Sequence, residues 1–465
     1  MRLLSRKKDA VDGQVRPEAA LTVEQTLETK RGGTGYRSLF AYMGPALITS
    51  MAYMDPGNFG TDIGAGAAFN YGLLWTVWLA NLMAMLLQYL SGKLGIATGR
   101  SLAENVRESL HSKRDIYLNW IGAEAAAAAT DLAEYLGTVI ALNILFNVPL
   151  FYASLFGAAD VLILLALTTR RFRAIEYFFM LFVSIIGFGF LYDIAIAGLN
   201  VPQIAHSFIA PSFGSSSIPL IVGIIGATVM PHALYVHSAL TKNRLTDGSS
   251  EEKKRLLTLH IRESVPVFLI AGAVNAAILI VSAVALYPKY SNVATVDDAY
   301  RIMIPVYGSI AAVVFAITLL CSGLASSATG TLAGQAIFEG MLGRKVNKNI
   351  RRFITRIVNV FPTTVAVFLG LDPLSLLVYS QILLSLMIAL PMIPLITFTA
   401  KKDLMGQFVN KRLTTTLALI SATLIIALNT YLIYVLLAPY NLLLQAFILG
   451  AYAVYHIYIV YAMLG

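Results

Sequence analysis

The chain has 465 residues, 57% of them hydrophobic and 13% charged, with a formal net charge of +9 and a mean hydropathy of +0.72. So apolar a composition excludes an ordinary soluble globular protein and a disordered scaffold, and makes the chain a polytopic membrane protein. The single cysteine, Cys321, excludes an intrachain disulfide and reads as a small packing residue in an apolar segment.

Residues 1–38 are polar and carry many charges, with no short apolar stretch and cleavage site behind them. This argues against a cleaved signal peptide and predicts a loose cytoplasmic tail. Apolar windows of ~20 residues then predict about twelve transmembrane helices, at 39–66, 72–97, 118–143, 149–168, 175–198, 217–240, 264–287, 305–337, 353–370, 374–398, 413–436 and 441–463. Lysine and arginine are retained on the cytoplasmic side of a bilayer. With the N-terminus inside, all of the 34 except Lys289 and Arg301 fall in the tail or at the cytoplasmic connections. The positive balance therefore reports topology and not nucleic-acid binding, and both termini are expected in the cytoplasm.

The first span contains Met51-Ala-Tyr-Met-Asp-Pro-Gly-Asn58 and the sixth contains Gly226-Ala-Thr-Val-Met-Pro-His232. Pro56 and Pro231 each remove a backbone donor, and glycine tolerates unwound geometry, so both helices are predicted to be broken near the bilayer midplane. Breaks in spans one and six make the repeating unit five helices long. Five is odd, so the second unit enters from the opposite side, which gives an inverted repeat: 39–200 is the first unit, 215–400 the second, and 412–465 holds two additional helices. Paired broken helices point to a secondary transporter.

The side chains at the breaks define a ligand chemistry. Asp55 supplies an anionic oxygen, Asn58 a neutral oxygen and Met230 a thioether, with carbonyls freed near Ala52 and Ala227. Sulfur beside oxygen favours first-row transition metals over Mg²⁺ or Ca²⁺. On span three, Glu124, Asp131 and Glu134 share one helical face, an arrangement suited to passing protons or to a buried polar network that pins helices together. His232 and His237 are candidate proton carriers near neutral pH, with Arg351 and Arg352 as counter-charges. Asn81, Gln88, Asn275 and Gln381 read as interhelical hydrogen-bonding groups.

Asp55-Pro-Gly-Asn58, Asp131-Leu-Ala-Glu134, Met230-Pro-His232 with His237-Ser-Ala-Leu240, and Ala333-Gly-Gln335 to Glu339-Gly340 together resemble the Nramp family of divalent metal transporters, in matching order from about residue 40 to 400. The resemblance implies an amino-acid-transporter-like (LeuT-type) fold and proton-coupled uptake of Mn²⁺ and Fe²⁺, often with Cd²⁺, Co²⁺ or Zn²⁺. It implies Asp55, Asn58 and Met230 as side-chain metal ligands, the carbonyls of Ala227 and Ala52 as further donors, and Gln381 approaching when the site is occluded. It also implies proton handling at Asp55, Asp131, Glu134 and His232, with Arg351 and Arg352 completing the charged network. Ala233, where the family often has Asn, and Gly64, where Gln is common, depart from the pattern and bear on metal preference. Met230 is present, so relatives that move magnesium and lack the thioether match less well.

The expectation is a monomeric plasma-membrane carrier without a resident cofactor, not an enzyme, whose substrate metal and protons enter by alternating access. A sodium-coupled amino-acid transporter is the first rival, but Asp55 would repel a substrate carboxylate at the half-helix N-termini. An intramembrane prenyltransferase using Asp131-x-x-Glu134 is the second, and lacks a facing acidic motif.

Overall fold

The computed structural model describes residues 39, 42–157, 172–246, 248–291, 302, 304–306, 308–345, 360–361, 363–366 and 368–464. Residues 1–38, much of predicted spans four and nine, and Arg351 and Arg352 lie outside the described residues. Among the described residues every regular element is helical, and nine helical stretches are long and apolar enough to cross a bilayer. Spans one and two are joined in that count through a 3₁₀ turn at Asn70–Leu73.

In chain order the helices are α1 (Pro45–Ser50), a 3₁₀ turn (Met51–Met54), α2 (Pro56–Phe69), α3 (Leu74–Thr98), α4 (Leu102–Ser109), α5 (Lys113–Phe146), α6 (Leu150–Phe156), α7 (Phe172–Ala197) and α8 (Val201–Ile209). They continue as α9 (Ile218–Thr228), α10 (Pro231–Lys242), α11 (Ser250–Leu286), α12 (Ser309–Leu342), α13 (Pro373–Met387), α14 (Ala389–Ala400), α15 (Arg412–Leu437) and α16 (Leu442–Leu464). Several outrun their apolar windows because polar first turns are capped. Ser249 accepts the Glu252 amide at 3.2 Å and Glu251 and Glu252 sit at the positive helix end, so α11 begins well before the apolar run at 264.

The core is built around the α5–α12 pair, with α2 and α3 against α11, α10 against α3, and α9 against α13. Small residues set these approaches, as membrane helices require when lipid offers no hydrophobic drive for association. A Cβ at Gly330 of α12 would lie 2.6 Å from Asp131 Oδ1 and 2.9 Å from Glu134 Oε2. The outer surface is apolar, with Phe188, Phe368 and Leu443 all more than two-thirds exposed, as a lipid-facing wall requires.

One end of the bundle collects the basic connections. Lys93 Nζ donates to Asn410 Oδ1 (2.8 Å), Lys253 Nζ to the Ala97 carbonyl (2.8 Å) and Lys401 Nζ to the Met463 carbonyl (3.0 Å). Lys242, at the end of α10, holds both Glu104 oxygens at 2.7 and 2.6 Å. Because α3 returns to this basic end, the turn at Asn70–Leu73 lies at the opposite one, and α2 runs away from the basic end.

Burial alone would raise the Glu104 carboxyl, but the Lys242 hydrogen bonds and charge, with the Ser101 bonds of the capping box, outweigh it and hold the group below its usual range. The contact therefore stabilises the fold at neutral pH and is lost as pH falls from about 4 through that depressed value. A double-mutant cycle of Glu104→Gln and Lys242→Met is expected to give a coupling of about 1 kcal/mol at pH 7, since the pair is only partly buried. Thermal melts at pH 7 and in acid check both sign and size.

Candidate metal site

Both interruptions follow from proline chemistry. Pro56 has no N–H, so the Ala52 carbonyl lacks its i+4 donor; Pro231 does the same to Ala227. Each proline then opens a new helix at its first position, where the missing N–H costs nothing. Asp55 turns extended (φ −84°, ψ 165°) and caps α2 through Oδ1, which accepts the Asn58 amide at 2.9 Å. At the sixth-span break Val229 and Met230 leave helical geometry, and Met230 becomes the N-cap of α10 (φ −74°, ψ 128°).

Asn58 ties the two breaks together. Its Nδ2 donates to Asp55 Oδ1 (2.7 Å) and to the Ala227 carbonyl (3.1 Å), across 169 residues of chain. Its Oδ1 accepts from Thr228 Oγ1 (3.3 Å) and Asn275 Nδ2 (3.2 Å), and Asn275 also donates to the Tyr53 carbonyl (2.9 Å). The carboxamide N–H₂ thus stands between two oxygens of the predicted ligand set. Helix α13 closes the third side: a Cβ at Gly226 would overlap the Gln381 backbone carbonyl, and one at Gly57 would overlap the Gln381 carboxamide and lie 2.8 Å from Asp55 Oδ2.

Asp55, Asn58, Ala227 and Gln381 are therefore gathered, with Ala52 and Met230 fully buried in the flanking breaks. Asp55 Oδ2, Gln381 Oε1 and Asn275 Oδ1 are buried without a hydrogen-bond partner among the described residues. Buried oxygens left without donors are costly, and here all three belong to side chains that border the two breaks. Among the described residues no three of His, Cys, Asp or Glu are grouped to hold a metal ion, so the donors gathered at the breaks are one carboxylate and neutral oxygens. Gly226→Ala tests the closure by α13. It is expected to destabilise by about 1–3 kcal/mol through overpacking, and to remove any metal-dependent shift in the melting curve.

The predicted proton-handling residues separate into two groups. Asp131 and Glu134 face Gly330 of α12 side by side. His232 Nδ1 pairs with Thr130 Oγ1 at 3.1 Å, which sets the first turn of α10 beside Asp131. Glu124 lies further towards the basic end, where its Oε1 accepts Trp120 Nε1 at 3.1 Å. His237 belongs elsewhere: its Nδ1 meets Gln88 Oε1 at 2.8 Å, and its ring packs edge-on against His260 with centroids 5.0 Å apart. Of the groups read as interhelical hydrogen-bonders, Gln88 does bond across helices. Asn275 and Gln381 reach the breaks, and Asn81 packs on Gly272.

Sequence reasoning overlooked three acids and a hydroxyl. Thr228 lay in the quoted motif without a role. Glu263 Oε1 accepts the amides of Gly44 (2.7 Å), Ala46 (3.1 Å) and Leu47 (3.3 Å), fastening the start of α1, while Arg244 Nη2 donates to the Met43 carbonyl (2.9 Å). Asp62 and Asp193 are fully buried. The signal available was the same for all three, a carboxylate inside or at the edge of an apolar span.

Asp55, Asn58, Ala227 and Met230 are all shut off from solvent, and packed contacts flank the junction on both sides. Towards the basic end, the Glu263 and Arg244 contacts hold α1 in place. Towards the other end, Phe59 of α2, Phe190 of α7 and Phe315 of α12 pack mutually, with centroids 5.4, 5.7 and 6.4 Å apart.

A family profile described as natural resistance-associated macrophage protein-like (Nramp) matches residues 46–435. The divalent metal cation transporter MntH of Deinococcus radiodurans is 41% identical over 413 residues, covering 89% of this chain and 94% of the relative. MntH of Bacillus subtilis is 38% identical, covering 92% and 95%. A crystal structure of the Eremococcus coleocola manganese transporter superposes with a TM-score of 0.82 at 30% identity, covering 93% of this chain and 96% of that one. The nucleobase-cation-symport-1 transporter Mhp1, at 13% identity and a TM-score of 0.57, shares the fold alone. With the broken-helix motifs, their geometry and this extent of likeness in hand, the chain is a member of the Nramp family of integral membrane proteins.

Proposed function

We propose that this protein is a proton-coupled secondary transporter that imports divalent transition metal ions, Mn²⁺ and Fe²⁺ foremost, with Cd²⁺, Co²⁺ or Zn²⁺ as further substrates. The observation that carries the reading is the convergence of a fully buried carboxylate, two proline-freed carbonyls and a carboxamide bridge where two interrupted helices meet. The relatives named as divalent metal cation and manganese transporters support the same substrate class. In this reading Asp55, Asn58, Met230, the Ala227 and Ala52 carbonyls and Gln381 form the substrate shell, and the protein works without a resident cofactor.

The two seals support a cycle of alternating access. A hydrated ion enters from outside when α2 parts from its neighbours and exchanges water for the shell. It leaves when α1 swings free of Glu263. Metal binding favours the ionised carboxylate, so cation and proton compete at Asp55. The displaced proton moves along Asp131 and Glu134 with His232 adjacent; Glu124, Arg351 and Arg352 extend the route towards the cytoplasm, and His237 joins it only through another conformation. A negative-inside potential assists by ~2.3 kcal/mol per charge per 100 mV.

The architecture that serves this cycle is a pair of inverted five-helix units, 39–200 and 215–400, with 412–465 outside the pair and residues 1–38 as a tail. Both termini face the cytoplasm, and the carrier acts as a monomer in the plasma membrane. Uptake of Mn²⁺, Cd²⁺, Mg²⁺ and Ca²⁺ into proteoliposomes, with and without an imposed pH gradient, tests it. Gradient-stimulated uptake of the first two is the expected result, and equal uptake of all four would refute it.

A further inference from the structure

Asp62 is fully buried, and neither of its carboxylate oxygens has a hydrogen-bond partner among the described residues. It lies seven residues beyond Asp55 on α2, about 10 Å along the helix, on the side away from the basic end. Phe59, the α2 member of the aromatic seal, falls between the two carboxyls in sequence. One turn to either side of Asp62 the helix abuts α11, Asn58 through its bond from Asn275 and Gly66 against the Leu279 carbonyl and the Ala283 amide. Asp62 therefore occupies the α2–α11 seam.

The surroundings offer it no counter-charge. From Pro266 to its end α11 has no Asp, Glu, Lys, Arg or His, and neither has α9. The titratable groups on the other packed elements are Asp55 and Tyr53 at the break, Tyr71 on the following turn, Tyr379 on α13, Asp131, Glu134 and Tyr135 on the adjoining part of α5, and Cys321 on α12. Asp193 stands on α7, three residues beyond Phe190 of the seal. Every one is acidic or neutral. A carboxylate with neither donor nor cation inside protein costs several kcal/mol more than the neutral acid, so a closed seam and a charged Asp62 are mutually exclusive.

We propose that Asp62 is a second proton-binding site of the transport cycle, filled from the outer solution while α2 stands open, whose occupancy is the condition for the outer half to close over the substrate. The proposal rests on the proton-coupled reading above. No covalent step is involved: one proton passes from outer water to an Asp62 oxygen, and returns there when α2 reopens.

The test is Mn²⁺ uptake into proteoliposomes at external pH 6 and pH 8, comparing the parent with Asp62→Asn, a permanently neutral isostere. The parent is expected to lose uptake at pH 8, and Asp62→Asn to raise the pH 8 to pH 6 ratio at least threefold. Asp62→Ser provides a second neutral side chain, and Mn²⁺ titration of tryptophan fluorescence shows that each variant is folded and binds metal. Should the asparagine variant fail to fold, the serine variant decides. A pH-dependent parent with an unchanged ratio in the folded variants overturns this inference alone, whereas a parent indifferent to pH overturns the proton-coupled reading with it.

Discussion

Asp55→Asn is expected to abolish saturable Mn²⁺ binding and reduce uptake to the background of empty liposomes. Among the described residues Asp55 is the one carboxylate at the junction of the two breaks, and its Oδ2 is buried without a hydrogen-bond partner there. Replacing it by a carboxamide removes the one anionic donor while keeping size and shape. Asparagine caps a helix about as well as aspartate, so the start of α2 should survive, with stability within about 1 kcal/mol of the parent. The loss in affinity should reach about 100-fold or more, roughly 2.7 kcal/mol. Calorimetric titration with Mn²⁺ beside a thermal melt separates lost ligation from lost fold, and near-parental affinity would remove Asp55 from the shell.

Met230→Ala is expected to retain Mn²⁺ transport while weakening discrimination against Ca²⁺ and Mg²⁺. A thioether is a poor donor to hard cations and a better one to first-row transition metals, so its presence penalises the abundant competitors more than it helps the substrate. Removing it should raise Ca²⁺ uptake relative to Mn²⁺ by about tenfold, a change of about 1.4 kcal/mol. Met230 is fully buried, so truncation also leaves a cavity and lowers stability by about 2–5 kcal/mol. Met230→Leu keeps the volume without the sulfur and should show the same change in selectivity with a smaller loss of stability. If the leucine variant excludes Ca²⁺ as well as the parent does, selectivity resides in the oxygen donors.

The breaks were legible in the sequence because proline acts locally: Pro56 and Pro231 each identify the carbonyl four residues earlier, and the structure shows both helices restarting at the proline. Spacing puts Glu124, Asp131 and Glu134 of span three on one face; Asp131 and Glu134 lie together against Gly330, while Glu124 stands further towards the basic end on Trp120. What could not be read is which distant group meets which. Nothing in the local sequence says that Asn275 reaches Tyr53 and Asn58, or that Glu263 fastens the start of α1 from 219 residues away. Those pairings depend on helix rotation and crossing, which apolar windows do not encode. The same blindness set the span edges, since α11 gains its first turns from polar, capped residues that a hydropathy window rejects. Residue type alone groups His237 with the proton carriers, and only its packing against His260 and Gln88 reveals that it faces another seam.

In the proposed cycle the carrier must also travel back with nothing aboard, and Asn58 bears on that homeward leg. With its amide hydrogens on Asp55 Oδ1 and the Ala227 carbonyl, Asn58 covers two of the oxygens proposed to receive the ion, so fewer bare oxygens face a dry interior. In the proposed cycle, that cover lowers the cost of closing the protein without its substrate. In the same reading the carboxamide has to turn over, oxygen for nitrogen, before Asn58 can receive a cation.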